Sequence, residues 1–266
     1  MTNAVLIARN TFRGILRNKV VYLLIFLVLF MLVLAMSPYL IMRMASEAGE
    51  TGIVTGLQSM VVVGSFQQWT FGSLLLGLFL GSTLISAEAK SRTIASLLYK
   101  PVERSEFLTG KWLGMLLFLV LFLCVGMAIS LGLASMIGMH PSTIIVWGIA
   151  LLVIDVLFYS TCAVMLATVS PPVVAGGTAF LLSVLASFVP RFIESPWVWA
   201  RGIGRVLYYV LPSRNPENLI EQSFNAAILR PDYVLHLEVL SENLLYVLVL
   251  LAAACIIFKR GDIPVR

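Results

Sequence analysis

The stretch EAKSRTIASLLYKPVERSEFLTGK, residues 88–111, is a polar island between long apolar runs, with five basic residues against three acidic. That basic excess assigns it to the cytoplasmic side of a membrane. Within it Ile94, Ala95, Leu97 and Leu98 make a short apolar stripe that ends before Pro101. A second helix is expected to start near Ser105, which can cap it, and to run on into the next apolar run. A short amphipathic helix held off the membrane between two rigid helices offers an apolar key that a soluble partner can grip. A plain connecting loop has no use for such a stripe, so the island reads as a docking surface and the flanking chain as the membrane body it moves.

The flanks support that division. The 266 residues are 60% hydrophobic and 12% charged, whereas a soluble domain carries about 25% charged residues. Residues 20–42 form 23 residues without a charge, and a spanning helix needs about 20. Residues 51–87, 112–154 and 156–190 are also free of Asp, Glu, Lys and Arg. Gly138, Met139, His140, Pro141 and Ser142 break the longest of these runs, and Ser170, Pro171 and Pro172 break the next, since proline lacks an amide donor. The last run is short, so its helix is expected to begin near Leu237 and to accept Glu238 and Glu242 in its outer turns. The fold expected is an all-α integral membrane domain with six spans, at 20–42, 61–86, 112–137, 143–169, 173–190 and 237–258. Residues 87–111 form a cytoplasmic loop and 191–236 an external helical segment.

An even number of spans puts both termini on one side. Twelve of the 18 basic residues fall on the face that holds both termini and the 88–111 island, and six on the other, so both termini are expected in the cytoplasm. The net charge of +5 thus follows from topology, and no nucleic-acid partner is read from it. The N-terminal apolar run is longer than the core of a cleavable signal and lacks a small-residue cleavage site, so it is expected to stay as the first helix. Cys124, Cys162 and Cys255 all fall in spans without metal-like spacing and read as apolar packing residues.

Ahead of the first span, Val5, Ala8, Phe12, Ile15 and Leu16 share one helical face, with Arg9, Arg13 and Arg17 at spacing four beside it. This is either a helix lying on the membrane surface, its arginines toward anionic lipid, or a plain positive-inside anchor. Small residues recur at helical spacing inside the spans: Gly77 with Gly81, Gly126 with Ser130, and Ala175, Gly176 and Gly177. They suit close helix packing, within one chain or between two. In the external segment Trp197, Trp199, Tyr208 and Tyr209 suit a membrane interface, and Arg201 and Arg205 share a helical face. Beyond Pro212 and Ser213, Asn215 can cap a helix that places Leu219, Ile220, Ser223, Phe224, Ala227 and Ile228 on an apolar stripe. The external chain is expected to dip back toward the bilayer. The two halves of the chain show no internal repeat.

Catalytic constellations are missing from the sequence. Gly110 and Lys111 are followed by Trp112 and lack the upstream glycine of a P-loop, so this chain is not expected to bind ATP. His140 and His236 have no ligand-spaced partner, and the scattered methionines suit apolar filling better than metal coordination. Asp155 lies near mid-membrane, where an acid costs roughly 2.5–3.5 kcal/mol. It is either a polar element of a translocation path or a structural acid that meets Tyr159, Thr161 or a neighbouring span.

The chain resembles the membrane subunits of ABC type-2 exporters, in the branch of the permease of the nitrous oxide reductase maturation system. Glu88, Thr93, Leu97, Leu98, Pro101, Val102, Arg104, Gly110 and Lys111 match that family's pattern in order, with Arg92 where the pattern has glycine. The resemblance extends through the basic N-terminal helix, the spans and the external connection containing YYVLPSRNPENL. It implies a permease subunit that pairs with a second copy or a close homologue, in a prokaryotic inner membrane. Two separate cytoplasmic ATPase subunits, which carry the ATP and magnesium, would dock on residues 88–111 and the N-terminal helix. On this reading Glu88 and Arg104 are the handle. The chain holds no cofactor, is not itself an enzyme, and moves a substrate by alternating access. Two other readings stand beside it: an intramembrane enzyme using Asp155, which lacks a second ionisable group in the spans, and a membrane anchor or assembly factor that recruits a periplasmic partner through the external segment without transport.

Overall fold

The computed structural model describes residues 3–35, 51–85, 103–211, 220, 223–224 and 233–260. Among them there is no strand. The helices are α1 (Asn3–Leu16), α2 (Lys19–Ala35), α3 (Thr51–Thr83), α4 (Arg104–Met136), α5 (Ile145–Ala167), α6 (Pro172–Glu194), α7 (Val198–Val210) and α8 (Tyr233–Arg260). Five of these, α3, α4, α5, α6 and α8, are long and apolar enough to cross a membrane. α2, 17 residues long, covers positions 20–35 of the expected first span.

Local chemistry ends the helices where the punctuation in the sequence places the turns. After Met136 the chain reverses through Gly138 at φ +82°, a left-handed conformation that costs glycine nothing. The Gly138 amide donates to the Ser135 carbonyl at 3.1 Å and the Met139 amide to Ala134 at 2.9 Å. Two carbonyls left over by the helix end are thereby satisfied. Between α5 and α6 the Ser170 amide bonds back to Leu166, and Pro171 and Pro172 begin α6 where a missing amide does no harm.

Two boundaries differ from expectation. α6 runs through Pro190 to Glu194, because a proline near a helix end removes one amide and leaves the following ones free to bond. α3 starts at Thr51, ten residues before the expected second span, whereas α4 starts at Arg104, one residue from the start expected near Ser105, with Glu103 at the capping position and no side-chain cap bond. Ser105 is therefore inside the helix, and its hydroxyl donates to Glu103 Oε2 at 3.3 Å.

The bundle is organised around α5, buried over 61% of its most apolar stretch, against 17% for α8. α5 packs on α3, α4, α6 and α8. Outer helices carry apolar side chains outward. On α4, Leu113, Leu117, Leu121, Val125 and Ile129 recur every fourth residue, all exposed. Such a stripe is at no disadvantage in lipid, which is as apolar as leucine.

Candidate functional site at the base of the polar segment

Around the polar segment the described residues end with Leu84 and Ile85, after α3, and resume with Glu103 and Arg104, at the start of α4. Glu88, Thr93, Leu97, Leu98 and Pro101 lie outside the described residues. Arg104, Gly110 and Lys111 are described, and all three fall in the first turns of α4, with Arg104 exposed and the other two buried. What the structure defines is therefore the root of the segment.

That root is a clamp. Lys111 is 6% exposed, its Nζ donates to the Leu84 carbonyl at 3.1 Å, and it stands 5.1 Å from the centroid of the Phe107 ring. Leu84 directly follows α3, so its oxygen is at the carbonyl-rich end of that helix, where a cation is favoured. The two ends of the polar segment are thus bound together by one charged hydrogen bond, stronger than a neutral one.

On the neighbouring face of α4, α1 lies in a groove made by Gly110 and Gly114. A methyl group placed on Gly110 would meet the Ala4 carbonyl and Ile7, and one on Gly114 would meet the Ala8 carbonyl and Thr11. Only glycine lets the two backbones approach so closely. The contact continues to an edge-on pair of rings, Phe12 and Phe118, with centroids 6.2 Å apart.

The face of α1 used for this packing is Ala4, Ile7, Ala8, Thr11, Phe12 and Ile15, which includes three of the five residues of the apolar stripe seen in the sequence. Val5 and Leu16 remain 47% and 43% exposed, next to the exposed Arg9, Arg13 and Arg17. α1 is thus docked on α4 and keeps an amphipathic face outward.

A third contact joins this root to the central helix. Trp112 Nε1 donates to Thr161 Oγ1 at 2.9 Å, and Thr161 in turn donates to the Leu157 carbonyl at 2.7 Å. Thr161 is therefore turned to α4, away from Asp155. Gly77 and Gly81 seat α3 against Ser160 of α5, and Gly176 seats α6 against Ser82. These small residues serve packing within the chain, as does Gly126, on which the Trp69 ring rests. Gly177 has nothing near it.

Asp155 is half-buried on α5, with Tyr159 one turn on and near enough to feel its charge. Phe158, between them, meets Tyr246 of α8 with ring centroids 6.4 Å apart. Leu152, one turn before Asp155, lines a shallow cleft with Val63, Phe66, Gln67, Thr70 and Ile220. At that end of the bundle Ile220, Ser223 and Phe224 are buried, Phe224 tilts against Phe66 at 6.2 Å, and the Ser142 amide donates to the Ser223 carbonyl at 2.8 Å. The described members of the external apolar stripe thus close over α3 and α5.

No group of three or more His, Cys, Asp or Glu among the described residues could hold a metal. Sequence reasoning missed the Gly110 and Gly114 pair as a docking groove, although its spacing of four was visible. It also gave no hint that Lys111 reaches Leu84, because that partner is 27 residues away.

At the base of the polar segment α1, α3, α4 and α5 thus meet. No curated protein matches the chain significantly. A family model described as ABC-2 family transporter protein matches residues 5–263. With a family match over nearly its whole length and several membrane-length helices, the chain belongs to the ABC-2 transporter family, as a multi-pass permease subunit of a kind that generally works with ATPase subunits.

Proposed function

We propose that this permease is the membrane half of an exporter driven by two separate ATPase subunits that bind the polar segment at residues 88–111 and the N-terminal helix. The observation that carries the reading is the clamp at the root of that segment. A push on the segment reaches α3 through Leu84 and α4 through Arg104, and the Lys111 bond makes those two helices respond together. α1, held in the Gly110 and Gly114 groove, moves with them, and Trp112 passes the displacement to Thr161 on α5. A mechanical input needs such a joint, since a loosely held loop would absorb the motion.

In this reading both termini and the polar segment face the cytoplasm of a prokaryotic cell, the permease pairs with a second copy of itself, and all nucleotide chemistry, with its magnesium, belongs to the partners. Glu88 and Arg104 form the handle, and Asp155 lies beside the translocation path near the cleft at Gln67. Similarity of the segment to the nitrous oxide reductase maturation branch supports a role close to that branch.

The test uses the permease with its ATPase in lipid nanodiscs, with a cysteine at Gln67→Cys as reporter of the cleft. Adding ATP is expected to change its labelling rate severalfold. Glu88→Arg and Arg104→Glu are expected to abolish that change while hydrolysis continues. A normal ATP response in Glu88→Arg rejects the handle, and an absence of any response in the parent protein favours the anchor reading.

A further inference from the structure

α7 is a helix with three faces. Ala200, Gly204 and Leu211 are buried, and the Gly204 backbone lies against Phe192 and Ile193 in the last turn of α6. Trp199, Ile203 and Val206 form a second face and are 63%, 48% and 63% exposed. Arg201 and Arg205, one turn apart, stand on the third. Both are exposed, and neither makes an ion pair among the described residues. With 3.6 residues per turn, the arginine pair points roughly 150° away from the apolar stripe. No acidic residue interrupts the helix.

The depth of α7 is set by its contact with α6. Gly204 touches the turn that lies between Arg191 and Glu194, the first charged residues at this end of the α6 span. Arg191 is itself folded back, its guanidinium 5.4 Å from the Phe188 ring centroid. α7 therefore sits where hydrocarbon gives way to headgroups. Its exposed apolar stripe extends the outward apolar surface of α6, where Leu181, Val184 and Phe188 are exposed. Trp197, Trp199 and Tyr208 add the aromatic side chains that favour this depth. One occupant satisfies both exposed faces at once: a bilayer surface, with acyl chains on the apolar side and phosphates on the other.

We propose that α7 is a binding surface for anionic phospholipid headgroups in the leaflet at this end of the bundle. Arg201 and Arg205 hold the lipid phosphates with paired N–H donors, and Trp199, Ile203 and Val206 lie among the acyl chains. Two unopposed arginines at an anionic surface are expected to enrich anionic over zwitterionic lipid about tenfold around the helix.

The experiment places a fluorophore on a cysteine at Val206→Cys, in full-length protein whose Cys124, Cys162 and Cys255 are replaced, reconstituted in vesicles. Quenching is compared between nitroxide-labelled phosphatidylglycerol and phosphatidylcholine at equal mole fraction. The parent is expected to be quenched severalfold more by the anionic lipid. The double variant R201Q/R205Q is expected to lose that preference while remaining quenched by an acyl-chain nitroxide, which shows the helix still seated. Equal quenching by the two lipids in the parent, or a preference that survives R201Q/R205Q, overturns the proposal. So does displacement by inorganic phosphate at constant ionic strength, which assigns the pair to a soluble anion. Protection from both headgroup and acyl-chain quenchers also overturns it, in favour of a protein partner.

Discussion

Lys111 is the residue on which the joint turns. It is buried, charged, and bonded to the Leu84 carbonyl at the end of α3. Lys111→Met keeps the length and apolar stem but removes the charged donor, and is expected to lower stability by about 1.5–3 kcal/mol. Lys111→Arg is expected to recover part of that loss. A thermal unfolding series in nanodiscs checks both, and equal stability of the parent and Lys111→Met shows that the Leu84 bond is incidental. Trp112→Phe, which loses the bond to Thr161 and part of a buried ring, should cost about 1–3 kcal/mol. The resemblance to ABC exporters placed Lys111 in a functional stretch, but nothing in the sequence names its partner. A hydrogen bond between residues 27 apart depends on how two helices cross, and local pattern carries no record of that. The reverse holds at Gly138, where the conformation demanded by the turn is written in the residue itself.

Among the elements, α1 shows how far hydrophobic periodicity reaches. Ala8, Phe12 and Ile15 of its apolar stripe face the bundle, whereas Val5 and Leu16 are exposed and the small residues Ala4 and Thr11 complete the contact opposite Gly110 and Gly114. In a membrane protein, close approach of backbones decides helix contacts, and apolarity alone does not distinguish lipid from protein. Gly114→Leu would drive a side chain into the Ala8 carbonyl and Thr11. The expected result is release of α1, with its amides exchanging at least tenfold faster by hydrogen-exchange mass spectrometry, and unchanged exchange would refute the groove. α4 supplies a second test. Leu119 is fully buried, whereas Leu121 is 53% exposed on the outward stripe. Leu119→Ala is expected to cost about 2–5 kcal/mol, and Leu121→Ala, which trades a leucine for lipid, under about 1 kcal/mol. Equal losses would mean that protein, and not lipid, covers that stripe. The breaks at residues 138–142 and 170–172 were legible because proline and glycine act locally. The start of α4 was legible to within one residue but its cap was not, because Glu103 takes the capping position without a side-chain bond.

At the scale of the whole molecule, the apolar spans were legible from run length, and the fold class follows from the absence of water to satisfy a backbone in hydrocarbon. Less legible was the hierarchy of the helices, with α5 central and α6 and α8 toward the outside. Composition is nearly the same for all of them, and only packing tells them apart. The account joins this bundle to an external motor through residues 88–111, and everything functional depends on that junction. The most direct measurement is photocrosslinking in native membranes from a light-activated amino acid at Leu97, with the same probe at Val206 as control. An adduct between Leu97 and a separate ATP-hydrolysing subunit, absent from Val206, is the result this account predicts. Recovery of no such subunit from Leu97, or of the same adduct from both positions, would contradict it.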